Sequence, residues 1–140
     1  MKKELKQALL IFLMFLCGAF GYYYLEILFR GYSHWSMGVC GGICLIGIYL
    51  IDKLNKNICQ KALLGALLIT LVEFFAGCIL NLWLGLKVWD YSGLRLNFLG
   101  QISLLFTSIW YALSFIIFAI FLFIKRKKRI PHRSIRNLGS

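Results

Sequence analysis

The sequence predicts an all-α, polytopic membrane protein with four transmembrane helices, and three observations carry that prediction. Hydrophobic residues make up 61% of the 140-residue chain, with a mean hydropathy of +0.79, where a soluble domain averages about 45–50% apolar. So small a core could not hide that excess from water. The apolar residues fall into four long runs, 8–29, 35–51, 62–86 and 98–124, each close to the ~20 residues that cross ~30 Å of hydrocarbon. The charged residues, sixteen Lys and Arg against five Asp and Glu, lie mainly outside those runs.

Each run is read as a helix because backbone amides in lipid must be satisfied within their own segment. A spanning strand would alternate in polarity, and these runs do not. The first run follows a basic opening, as in a signal peptide, but its 22 residues exceed a typical h-region. Leu16 before Cys17 also lacks the small residue that a lipoprotein site needs. The second run is the shortest. Between the third and fourth, residues 87–97 are expected to form an interfacial or re-entrant segment. The domain reading is a transmembrane unit at 1–124 and a basic cytoplasmic tail at 125–140, with Pro131 separating the anchor from a disordered end.

Orientation follows from the cations. With the N-terminus inside, thirteen Lys and Arg lie on the cytoplasmic side, and only Arg30, Lys87 and Arg95 lie outside. The positive-inside rule therefore predicts both termini in the cytoplasm. Trp35, Trp83, Trp89, Tyr22 to Tyr24, Tyr32 and Tyr91 are then expected in an aromatic belt at the outer interface. Lys125, Arg126, Lys127, Lys128 and Arg129 close the last helix and are read as headgroup-binding residues at an anionic leaflet. With no aromatic interleaving, nucleic acid is not the expected partner.

Cys17, Cys40, Cys44 and Cys78 lie inside apolar runs, and Cys59 in a basic loop. In such surroundings Cys acts as a small hydrophobe. Cys40 and Cys44 are one turn apart, but no nearby His or Cys completes a metal set, so neither metal nor cofactor is expected.

Two acids fall within the spans. Glu26 has Arg30 at i+4 for a partner at the interface. Glu73 has no cation at i±3 or i±4. A mid-bilayer carboxylate costs at least ~2.5–3.5 kcal/mol on insertion scales, so Glu73 must be protonated, meet a polar partner on another helix, or face water. Ser103, Thr107, Trp110 and Ser114 form one face of the last helix and are the expected partners. Gly38 and Gly42 form GxxxG, and Ala62 and Ala66 a second small pair, which permit close helix contact, read as within the chain.

The most distinctive segment is Trp89-Asp90-Tyr91-Ser92-Gly93, followed by Asn97 and Gly100. Asp and Gly here are turn residues, Trp and Tyr are expected at headgroup level, and alternation from Leu94 to Phe98 predicts a short extended piece. Such a segment is longer than a connection needs.

From Glu73 to Trp110 the sequence resembles the C-terminal half of the bacterial ABC-transporter type IV membrane family. The likeness rests on the helix acid, then Trp-Asp-Tyr-Ser, then Leu-Asn-x-x-Gly. Residues 21–42, with Glu26 and Arg30-Gly31, resemble the family's first half. The chain departs from that pattern in three places. It has no proline in residues 34–38, where a proline-rich turn is expected after Arg30-Gly31, has Gln101 where a basic residue is expected, and has Asn81 where a second helix acid is expected.

The resemblance implies a small transport-associated component of the bacterial cell membrane, permease-like, with other membrane subunits or further copies of itself as partners. The alternatives are a non-transporting structural or interaction protein and a holin-like pore former. The chain carries no ATPase of its own: Gly42 and Gly47 have the Walker spacing, but Ile48 and Tyr49 follow where Lys and Ser or Thr would hold phosphates. An enzyme is not expected, because His34 and His132 lack an acid and a nucleophile in catalytic spacing.

Overall fold

The computed structural model describes residues 2–136, with side chains to Arg129. Helix α1 spans Lys2–Arg30, α2 Trp35–Asp52, α3 Ile58–Gly77 and α4 Leu104–Arg136. A π-helical turn, Cys78–Trp83, extends α3. Among the described residues four helices are long and apolar enough to cross a membrane. At 1.5 Å per residue even the 18-residue α2 reaches about 27 Å.

The boundaries follow local chemistry. Helix α3 begins four residues before the expected 62, because Asn57 and Gln60 form a reciprocal capping box: the Asn57 side chain accepts from Gln60 N at 2.9 Å. Cys59 thus lies in the first turn of α3 and not in a loop. Helix α4 begins at Leu104, six residues after the expected 98, because Asn97–Phe98 (β1) pairs antiparallel with Ile102–Ser103 (β2). Ser103 Oγ then accepts from Phe106 N at 3.2 Å, an N-terminal cap. Helix α4 runs through Pro131 to Arg136, where the sequence suggested an end at 124. The expected disordered end falls partly on residues 137–140, outside the described residues.

Helix α1 packs on α2, α3 packs on α4, and α2 against α3 joins the two pairs. The core is Cys44 and Ile48 of α2, Ala62, Ala66 and Ile69 of α3, and Trp110 and Phe118 of α4. Outward-facing Leu, Ile and Phe side chains on every helix leave an apolar surface suited to lipid. The expected small-residue contacts are within the chain. The tightest glycine-to-glycine contact, however, is Gly41 of α2 against Gly18 of α1: a Cβ on Gly41 would lie 2.5 Å from Tyr22 Cβ and 2.6 Å from the Gly18 carbonyl oxygen. At Gly38 a Cβ would meet only ordinary contacts, the nearest at 3.5 Å.

At the far end of the bundle from the 87–103 segment, Asp52 joins three helices. Its Oδ1 accepts from Lys61 at 3.2 Å and its Oδ2 from Lys125 at 2.5 Å. Lys125, read from sequence as a headgroup ligand, is thus an ion-pair partner. Arg126 to Arg129 remain exposed.

Gly41→Ala is expected to lower stability by about 1–3 kcal/mol, because the new methyl meets backbone that cannot rotate away. Gly38→Ala should be close to neutral. Unfolding of the two variants in the same detergent checks the contrast.

Candidate functional site

Glu73 faces inward from α3 and is 6% exposed. Its Oε1 accepts from the Tyr91 hydroxyl at 2.6 Å, and its Oε2 from the Trp110 indole N–H at 3.0 Å. The two donors approach from different elements, Tyr91 from the 84–96 segment and Trp110 from α4. Tyr91 stacks on Phe106, centroids 4.4 Å apart, and Phe106 and Tyr22 both lie against Trp110 at 6.0 and 5.9 Å. The carboxyl is therefore held by neutral donors in an aromatic surround, with no cation bonded to it among the described residues. Burial, and then the Glu73 charge, push the Tyr91 hydroxyl up from its ordinary range, which keeps it a donor.

The rest of the expected stripe is used otherwise. Ser103 caps α4, Thr107 pairs with Thr70 at 3.1 Å, and Ser114 is fully buried against Gly65 with no hydrogen-bond partner for its hydroxyl. Of that face only Trp110 reaches Glu73. The helical rotation that brings Trp110 to the carboxyl points Thr107 and Ser114 at other parts of α3.

The distinctive motif builds an inward loop. Trp89 is 5% exposed and donates its indole N–H to the Gln101 carbonyl at 3.0 Å. Asp90 Oδ1 accepts from Ser92 N at 2.9 Å, an Asx turn that holds its carboxyl below the usual range. Asn97 donates to the Leu94 carbonyl at 2.7 Å and accepts from Gly100 N at 3.0 Å. Gly100 has φ +68°, and a Cβ there would sit 2.9 Å from Asp90 Oδ1. Leu99 shares the positive φ, and Gln101 N closes the turn on the Phe98 carbonyl at 3.0 Å. Trp89 is thus buried and Tyr91 half-buried, both turned into the bundle. Trp35 and Trp83 do face outward. Gly77 leaves room for the loop, since a Cβ there would lie 3.0 Å from the Trp89 ring.

Two further anchors hold this loop. Asn81, on the π-helical turn, donates to Gln101 Oε1 at 2.8 Å and accepts from Val88 N at 2.7 Å. The positions where the family pattern expects an acid and a base therefore face each other, here as a neutral amide pair. Arg30 bonds Glu26 at 3.3 Å, as expected, and also donates to the Val88 carbonyl at 2.8 Å. Ser33 donates to the other Glu26 oxygen at 2.7 Å.

Below the loop lies a cavity of about 350 Å³, lined from all four helices and by Trp89, with Glu73 as its one charged residue. The sequence reading did not anticipate the Tyr91–Glu73 bond, the Gln101 contacts or the role of Tyr22. An uncompensated acid followed by a long, turn-rich loop was the available signal for the first.

Loop, carboxyl and four spans define a small multi-pass membrane protein with a buried polar centre at Glu73. The chain belongs to the family described as "Putative ABC-transporter type IV", whose model matches residues 13–138. No curated protein and no solved structure matches the chain.

Glu73→Gln is expected to stay within about 1 kcal/mol of the parent, because Gln can accept from Trp110 and donate to a reoriented Tyr91 hydroxyl. Glu73→Leu orphans both donors and should cost about 1–3 kcal/mol for each. Thermal unfolding of the purified variants distinguishes the two.

Proposed function

We propose that the chain is a non-enzymatic, transport-associated component of the bacterial cell membrane that depends on an ATP-hydrolysing partner. The observation that carries this reading is the Glu73 centre: a carboxyl without a bonded cation, oriented by Tyr91 and Trp110 at the head of a cavity. Buried intramembrane acids are costly and mark ligand or ion pathways. Family membership supports the transport context, and the absence of a Walker Lys-Ser/Thr after Gly47 supports an ATPase on another chain. Both termini are assigned to the cytoplasm on the cation count.

The test is vanadate-sensitive ATP hydrolysis in native membranes prepared with and without the chain. Hydrolysis that requires the chain, and drops in Glu73→Gln at equal protein level, supports the reading. Solute leakage through liposomes holding the chain alone would replace it with a pore former.

Orientation has its own check. In a variant keeping Cys59 as its single cysteine, an impermeant maleimide should label broken cells and spare intact ones. Labelling of intact cells would reverse the topology.

A further inference from the structure

The cavity beneath the loop, which the proposed function treats as the working site, also has a chemistry that selects its ligand. Its walls are apolar side chains of α1, α2, α3 and α4, and no Lys, Arg or His is among the lining residues. Four aromatic residues, Tyr22, Trp89, Trp110 and Phe121, line it together with Glu73. Tyr91 and Trp110 each give the carboxyl one hydrogen bond and no charge. A carboxylate has acceptor sites beyond those two. Glu26, the other intramembrane acid, is already occupied by Arg30 and Ser33.

Each ligand class meets this arrangement differently. An anion would be repelled by Glu73. A small hydrated metal ion would lose its water to a site that offers one carboxylate, where hard divalent ions want about six oxygens. A neutral hydrocarbon would leave the carboxyl without a counter-charge. A weakly hydrated organic cation meets a negative charge, aromatic faces that attract cations, and apolar walls for its substituents. All four helices contribute to the cavity, and α1 and α4 pack mainly on α2 and α3.

We propose that this cavity binds lipophilic organic cations, with Glu73 as counter-charge and Tyr22, Trp89 and Trp110 as the aromatic wall. The proposal rests on the reading of the Glu73 centre as the working site and names the ligand class that site takes.

The test uses the purified full chain in lipid nanodiscs and two probes of similar shape and opposite charge, tetraphenylphosphonium and tetraphenylborate, with empty nanodiscs subtracted. Saturable binding of the cation and none of the anion is expected. Glu73→Gln should weaken the cation by about tenfold or more, as removal of a close charge partner does, while Glu73→Asp keeps most of the binding. Equal saturable binding of both probes would overturn the proposal. So would no cation binding above empty nanodiscs, or equal affinity in a folded Glu73→Gln. If that variant fails to fold, the cation–anion comparison on the parent decides alone. No ATPase enters the measurement, so absence of binding leaves the partner-dependent reading standing, and failure of partner-dependent hydrolysis leaves this site standing.

Discussion

A carboxyl in an apolar interior must be given hydrogen bonds there, and the loop side of this protein is organised around that requirement. Glu73 is buried in a packed bundle, and an unbonded buried carboxyl is among the costliest groups a fold can contain. Two donors satisfy it, one from α4 and one from a segment outside the helices. The second is the more demanding. To deliver Tyr91 to Glu73, the chain after α3 must turn back into the bundle, which exposes its own backbone groups to the same apolar surroundings.

The motif residues answer that secondary problem. Asp90, Asn97 and Gln101 bond backbone groups of the loop, and Asn81 and Arg30 bond it from α3 and α1. Irregular backbone at membrane depth is tolerated where protein buries and satisfies it. The π-helical turn at Cys78–Trp83 belongs to the same solution: Asn81 on that turn meets both Val88 and Gln101. Such turns are frequent at functional sites. The amide pair of Asn81 and Gln101 does with neutral groups what an acid and a base would do with charge, and it leaves Glu73 the one charged residue of the cavity.

The opposite end is built differently. There Asp52 gathers Lys61 and Lys125, so full charges meet where α2, α3 and α4 come together. Lys61 and Asp52 are largely buried, whereas Lys125 is exposed and its pair contributes little. Geometrically the two pairs tie the start of the basic run on α4 to α2 and α3.

Four helices, their approximate spans and the within-chain use of small residues were legible in the sequence, because apolar length and small-residue spacing are local properties that lipid makes nearly obligatory. The pairing of Glu26 with Arg30 was legible for the same reason, as an i,i+4 relation within one helix. Glu73 stood out as an unpaired cost. Which donors met that cost was decided only in three dimensions. Trp110 and Ser114 share a face, yet one reaches the carboxyl and the other is buried against Gly65, a difference set by how α3 and α4 cross. Tyr91 looked like an interfacial anchor because aromatic residues in a short polar loop usually are. The fold turned it inward because eighteen residues of chain could return to Glu73, and sequence spacing does not encode where a loop returns.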